Sequence, residues 1–162
     1  MSTNVLQDGR YRIRSVSTSQ PNPGVGGMFA TANGPAQDLT AVAAVPEYFE
    51  NQTWAIEKYK DVDFYTIKWV EKDTTSEEEG FSYDKWDQDA PITLGAPGDF
   101  TLEQVPGTDA VYIIRPVEAK PVVGVDVCVG TGEGNKIVIK HVILAGPSST
   151  ETTPAWGFYR LD

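Results

Sequence analysis

The chain has 162 residues and a mass of 17.7 kDa, a length that suits one domain burying roughly 70% of its unfolded surface without added staples. A hydrophobic content of 40% against 22% charged residues excludes wholesale disorder. With 13 basic and 23 acidic side chains the net charge is -10, a field that repels phosphate backbones and anionic lipid, so neither nucleic acid nor membrane is an expected partner.

Residues 1–10 are polar and carry Asp8 and Arg10, with no apolar stretch to route the chain for secretion. No later run is long enough to span a bilayer, so a cytoplasmic location is expected. A first β-run, 11–16, follows the turn pair Asp8-Gly9. After it comes the loop Gln20-Pro21-Asn22-Pro23-Gly24-Val25-Gly26-Gly27. Its prolines stiffen the approach, and its glycines permit backbone angles and close contacts that a Cβ would forbid. A narrow, bare tip of this kind suits entry into another protein's cleft. Two further runs, 28–31 and 39–43, lead to Val45-Pro46-Glu47-Tyr48-Phe49-Glu50-Asn51, where an adjacent aromatic pair either packs or binds.

The runs 53–59 and 64–70 are followed by an acidic stretch, 71–79, whose unspaced glutamates read as a solvated loop and not as a calcium site. The series continues at 80–83, 91–94, 100–105, 110–117, 123–129, 137–143 and 156–161. Short aromatic and β-branched segments at this density, with helical periodicity almost absent, indicate an all-β sandwich or barrel.

A repeat narrows the choice. Asp8-Gly9-Arg10-Tyr11-Arg12-Ile13-Arg14 is echoed by Asp63-Phe64-Tyr65-Thr66-Ile67-Lys68 and by Asp109-Ala110-Val111-Tyr112-Ile113-Ile114-Arg115. A second marker closes each unit: Trp54-Ala55-Ile56, Phe100-Thr101-Leu102 and Trp156-Gly157-Phe158. In each, a large aromatic and an apolar residue share one face of a strand. Three units of about fifty residues and about four strands each match a β-trefoil, here a single domain over 1–162 with repeats 8–60, 61–106 and 107–162. No unit can bury its apolar face alone, whereas three closed about an axis share one core and leave few free edges.

Catalytic chemistry finds little support, and no enzyme, metal site or cofactor is expected. Cys128 is the sole cysteine and His141 the sole histidine, which excludes an internal disulfide and a cysteine-rich zinc site. A Cys128–His141 dyad on paired strands has no third group or motif around it. The stretch Gly130-Thr131-Gly132-Glu133-Gly134-Asn135-Lys136 lacks the Gly-Lys-Ser/Thr ending of a phosphate loop and reads as a hairpin. Asn51-Gln52-Thr53 fits the glycosylation pattern, which goes unused without secretion.

The repeat start 8–14, the segment Pro21-Asn22-Pro23-Gly24-Val25-Gly26-Gly27, and Gly80-Phe81-Ser82-Tyr83-Asp84 together resemble the clitocypins, the mycocypin family of mushroom cysteine-protease inhibitors. Asp109 to Arg115, Val123-Gly124-Val125-Asp126-Val127 and Pro154-Ala155-Trp156 extend the resemblance, in order, over nearly the whole chain. It implies a β-trefoil that inhibits papain-like, cathepsin-type proteases reversibly through two loops. By position, Pro23, Gly24, Val25, Gly26 and Gly27 would lie along the active-site cleft, and Pro46, Glu47, Tyr48 and Phe49 would cover its other side.

Family members that also block legumain, an asparagine-specific protease, present an asparagine between the fifth and sixth strands. The corresponding loop here, 71–79, has none, and Asp73 is a poor substitute even when protonated. Lys72 is a candidate bait for a trypsin-like enzyme, in competition with its acidic neighbours. A carbohydrate-binding trefoil is the other alternative, because Gln52-Thr53-Trp54 satisfies the Gln-x-Trp pattern of such lectins. Neither Phe100 nor Trp156 has a glutamine two positions before it.

Overall fold

The computed structural model describes residues 6–21, 23–24, 26–34, 36–70, 79–119, 123–143 and 153–161. Twelve strands occur among them: β1 (Gly9–Ser17), β2 (Met28–Thr31), β3 (Thr40–Ala43), β4 (Trp54–Lys58), β5 (Tyr65–Trp69), β6 (Gly80–Ser82), β7 (Thr93–Gly95), β8 (Phe100–Gln104), β9 (Val111–Pro116), β10 (Val125–Thr131), β11 (Ile137–Ile143) and β12 (Pro154–Arg160). Each falls on one of the twelve runs read from the sequence. The largest differences lie at strand starts and ends, where pairing overrides local composition. β1 begins at Gly9, two residues earlier than expected, because Gly9 to Tyr11 pair with Ile56 to Trp54.

Six strands close on themselves. β1 pairs with β4, β4 with β5, β5 with β8, β8 with β9, β9 with β12, and β12 with β1, all antiparallel. The ring has no free edge. The remaining six form three hairpins, β2–β3, β6–β7 and β10–β11, which cap one end of the barrel.

The cap joins through a cycle of three backbone hydrogen bonds. Leu39 N donates to Ile92 O at 2.9 Å, Ile92 N to Ile137 O at 3.0 Å, and Ile137 N to Leu39 O at 2.9 Å. All three side chains are fully buried, so the cycle marks a pseudo-threefold axis running through the core. Twelve strands around that axis, six in a barrel and six in a hairpin cap, make the chain a β-trefoil.

The markers seen in the sequence meet on this axis. Tyr11, Tyr65 and Tyr112 are buried at equivalent barrel positions, followed by Ile13, Ile67 and Ile114. Trp54 and Trp156 lie in the core with their indole N–H groups donating to Ala30 O (3.0 Å) and Val129 O (2.8 Å). The middle unit has Phe100 instead, and there the equivalent carbonyl, Phe81 O, accepts from Gly98 N at 2.9 Å. A backbone donor has replaced the indole, which is why the second marker departs from tryptophan.

Candidate functional site

The β2–β3 hairpin brings the two proline-containing loops together. Its register pairs Met28 with Ala43 and Phe29 with Val42. The loop that enters β2 and the loop that leaves β3 therefore emerge side by side from one end of the hairpin. In the first loop Pro23, Gly24, Gly26 and Gly27 are exposed, and in the second Pro46, Glu47 and Tyr48 are exposed. Val25 lies outside the described residues.

The first loop is shaped by positive backbone angles: φ is 95° at Gly24, 97° at Gly26 and 107° at Gly27. Side chains with a Cβ rarely adopt this region, so the spacing of glycines follows from the path of the chain. A Cβ added at Gly24 or Gly26 would meet nothing within 4 Å, whereas at Gly27 it would collide with the guanidinium of Arg14. Arg14, on β1, donates from Nη1 to the carbonyl of Gly24 at 2.5 Å and to the hydroxyl of Tyr159 at 3.3 Å. Tyr159, on β12, packs edge-on against Phe29 with centroids 5.9 Å apart, and is 40% exposed beside the loop.

The second loop is built from two 3-10 turns, Pro46–Tyr48 and Glu50–Gln52. The sequence presents Tyr48 and Phe49 as a pair, but the turns send them apart. Tyr48 is 44% exposed, while Phe49 is half-buried with its ring 3.9 Å beneath the guanidinium carbon of Arg12. Behind them the backbone is pinned. Asn51 Nδ2 donates to Ala32 O and Ala32 N to Asn51 O, both at 2.9 Å. Thr53 Oγ1 donates to Phe49 O at 2.8 Å, and Trp69 Nε1 to Glu50 O at 3.0 Å.

Gln52 is fully buried, and its amide donates to Thr31 Oγ1 (3.1 Å), Val42 O (3.3 Å) and Ala43 O (3.2 Å). Trp54 is equally buried. The Gln-x-Trp pattern thus serves the hairpin and the core, and neither side chain is open to a sugar. Asn51 of the glycosylation pattern is likewise engaged, through its amide, in holding the loop.

Arg12 and Arg14 are the residues that sequence reasoning missed. They alternate with the buried Tyr11 and Ile13 on β1, so both point away from the barrel interior. An arginine two positions from another on a strand reads as solvated surface, yet each of these is covered by one loop.

Lys72 and Asp73 lie outside the described residues. Cys128 and His141 do not meet as a dyad. In the β10–β11 register Cys128 faces Lys140, and His141 faces Val127, so the two side chains project to opposite faces of the hairpin. Cys128 is fully buried, and desolvation pushes its thiol up to about 12. His141 Nε2 donates to Trp86 O at 2.7 Å. Among the described residues no cluster of His, Cys, Asp or Glu is placed to hold a metal ion, and no helix is long and apolar enough to cross a membrane.

The surroundings of the two loops can be compared with known proteins. The family model for the peptidase inhibitor clitocypin matches residues 9–158. Clitocypin-4/-3 of Clitocybe nebularis is 44% identical over 156 residues, covering 96% of this chain and 97% of that protein. Clitocypin from the same species is 40% identical over 96% of this chain and 99% of its own length. Among solved structures, a mosquitocidal holotoxin superposes with a TM-score of 0.64 at 16% identity, over 99% of this chain and 18% of the toxin chain. The Polyporus squamosus lectin superposes with a TM-score of 0.55 at 15% identity, over 96% of this chain and 50% of the lectin chain. At such identity these two share the fold alone. The match to the family model and the identity to its members, by contrast, extend over nearly the whole chain, which belongs to the clitocypin family of peptidase inhibitors.

Proposed function

We propose that this member of the clitocypin family inhibits papain-like, cathepsin-type cysteine proteases reversibly, without being an enzyme itself, by filling the active-site cleft with its two adjacent loops. The observation that carries the reading is the Met28–Ala43 register, which sets a glycine-rich loop and a loop bearing an exposed tyrosine next to each other. The segment from Pro23 to Gly27 is the part of the first loop that lies along the cleft, poor in side chains at its three glycines, Gly24, Gly26 and Gly27. Pro46, Glu47 and Tyr48 cover the flank, with Phe49 supporting them from beneath.

The physics favours this arrangement. A tip without side chains lets main-chain groups approach a foreign backbone closely, and an exposed tyrosine is among the residue types that dominate interface energy. Loops already braced by β1 lose little conformational entropy on docking. Sugar binding through Gln52 and Trp54 is disfavoured, because both are fully buried.

Titration against papain, trypsin and legumain, with a glycan array in parallel, tests the reading. Inhibition of papain alone is the expected result. Full papain activity at saturating inhibitor would sink the proposal, and inhibition of trypsin instead would move the site to Lys72.

A further inference from the structure

We infer that Arg12 and Arg14 are positioning residues that brace the two loops against one strand, so that the outer face of β1 sets the spacing of the wedge. The inference rests on the inhibitory reading of those loops and assigns the parts that hold them in place.

Three observations carry it. Arg14 is only 6% exposed, an unusual state for a guanidinium, and among the described residues its hydrogen-bond partners are the carbonyl of Gly24 and the hydroxyl of Tyr159, with no carboxylate among them. Burying a cation without a counter-ion is costly, and a residue selected for stability alone would be apolar there. Second, among the described residues the Nε atoms of both Arg12 and Arg14 are buried without a hydrogen-bond partner, and the contacts these side chains do make run to the loops, Arg14 to the first and Arg12, through the Phe49 ring, to the second. Third, Gly27 leaves the space that Arg14 occupies, so the loop's last glycine and the brace are matched in shape.

Arginine suits this role. In Arg14 one nitrogen reaches both the Gly24 carbonyl and the Tyr159 hydroxyl, and in Arg12 the guanidinium lies over the Phe49 ring, whereas lysine offers a mobile point charge. Positions 12 and 14 lie on the same face of β1, so both loops refer to one rigid element. A wedge held in this way docks preorganised, and loss of a brace would raise the cost of ordering the loop on binding.

The test compares Arg14→Met, Arg14→Lys, Arg12→Met and a charge control on the neighbouring strand, Arg160→Met. Papain association and dissociation rates would be measured, with backbone hydrogen exchange at residues 23–27 and 46–49 of the free inhibitor. With melting temperature retained, Arg14→Met is expected to weaken inhibition about tenfold or more, mostly through faster dissociation, and to speed exchange at 24–27. Arg14→Lys should fall between it and the unaltered protein, Arg12→Met should speed exchange at 46–49, and Arg160→Met should change neither.

Unchanged exchange and inhibition in both Arg14→Met and Arg12→Met would overturn the inference, as would an equal loss in Arg160→Met, which would make the effect one of charge. If Arg14→Met fails to fold, Arg14→Lys and Arg12→Met decide by the same readouts. Should the unaltered protein leave papain active, the inhibitory reading falls, and the exchange data alone judge the braces.

Discussion

The guanidinium of Arg14 fills the space that a side chain at Gly27 would need: a Cβ built there stands 2.7 Å from Arg14 Cζ. The neighbouring Gly26 has a similar backbone angle, φ 97° against 107°, but open space around it. The pair separates two roles of glycine in one loop. Gly26→Ala introduces backbone strain alone and should cost about 1 kcal/mol. Gly27→Ala adds a collision with a buried cation and should cost about 1–2 kcal/mol more. The excess should shrink in Gly27→Ala/Arg14→Met, because the two changes act on one contact. Urea denaturation of these three variants and of Arg14→Met alone checks this, and additive losses would contradict it.

The pseudo-threefold axis predicts unequal tolerance at equivalent sites. Trp54 and Trp156 each donate to a hairpin carbonyl across from a small residue, Ala30 or Val129. Phe100 faces a large one, Phe81, with ring centroids 6.2 Å apart, and the carbonyl there is served by Gly98 N. Trp156→Phe should therefore cost about 2–3 kcal/mol, from lost packing and a carbonyl deprived of its donor. Phe100→Trp, which makes the middle unit look like the others in sequence, should also destabilise, because the added ring crowds Phe81 and its N–H finds the carbonyl taken. A gain in urea midpoint for Phe100→Trp would refute the size-matching account.

The twelve strands and the trefoil were legible because the central core takes every second residue of the barrel strands, and that spacing survives in a single sequence at Tyr11/Ile13, Tyr65/Ile67 and Tyr112/Ile114. The candidate loops were legible by their prolines and glycines. The braces were not. Arg12 and Arg14 carry the pattern of an exposed strand face, and only the folding of distant loops over β1 buries Arg14 and half-buries Arg12. Tyr48 and Phe49 illustrate the same limit: adjacent aromatics look alike in sequence, and a 3-10 turn decides which one faces solvent. Gln52 marks the same limit: its pattern, matched in one unit of three, leaves sugar binding as an alternative in sequence, and only the folded hairpin shows its amide taken by Thr31, Val42 and Ala43.

Stability should decline in alkali through Cys128. Burial raises the thiol from its ordinary 9.0 to about 12, so the folded chain keeps its proton where the unfolded chain has lost it. Above pH 9 the unfolded state binds fewer protons, and stability falls with pH at about 1.4 kcal/mol per unit from this group until pH 12. Below pH 9 the contribution is fully present. Tyr65, raised by burial to about 12, adds to the slope above pH 10. Cys128→Ala should flatten the slope between pH 9 and 10, where the tyrosine is still protonated in both states. Urea unfolding across this range measures it, and an unchanged slope in Cys128→Ala would place the thiol's burial in error. The same burial predicts that a thiol reagent leaves the native protein unlabelled and labels it once denatured.

Tyr48 and Phe49 should part company when each is cut back to alanine. Tyr48 is 44% exposed and has its backbone N held by Val45 O at 2.9 Å, so its ring contributes little to the free protein and is available to a partner. Tyr48→Ala should leave the melting temperature within error and weaken papain inhibition by about 1–3 kcal/mol, the range of an interface anchor. Phe49 sits under Arg12, where its loss removes both a cation–π contact and the packing that seats the loop. Phe49→Ala should lower stability by about 1–3 kcal/mol and weaken inhibition as well, because the loop loses its brace. The discriminating measurement is the ratio of the two effects in each variant, read by thermal denaturation and inhibition kinetics on the same preparations. Were Phe49→Ala to weaken inhibition with no loss of stability while Tyr48→Ala did neither, the contact surface would have to include Phe49 directly, and the loop would have to open away from Arg12 on binding.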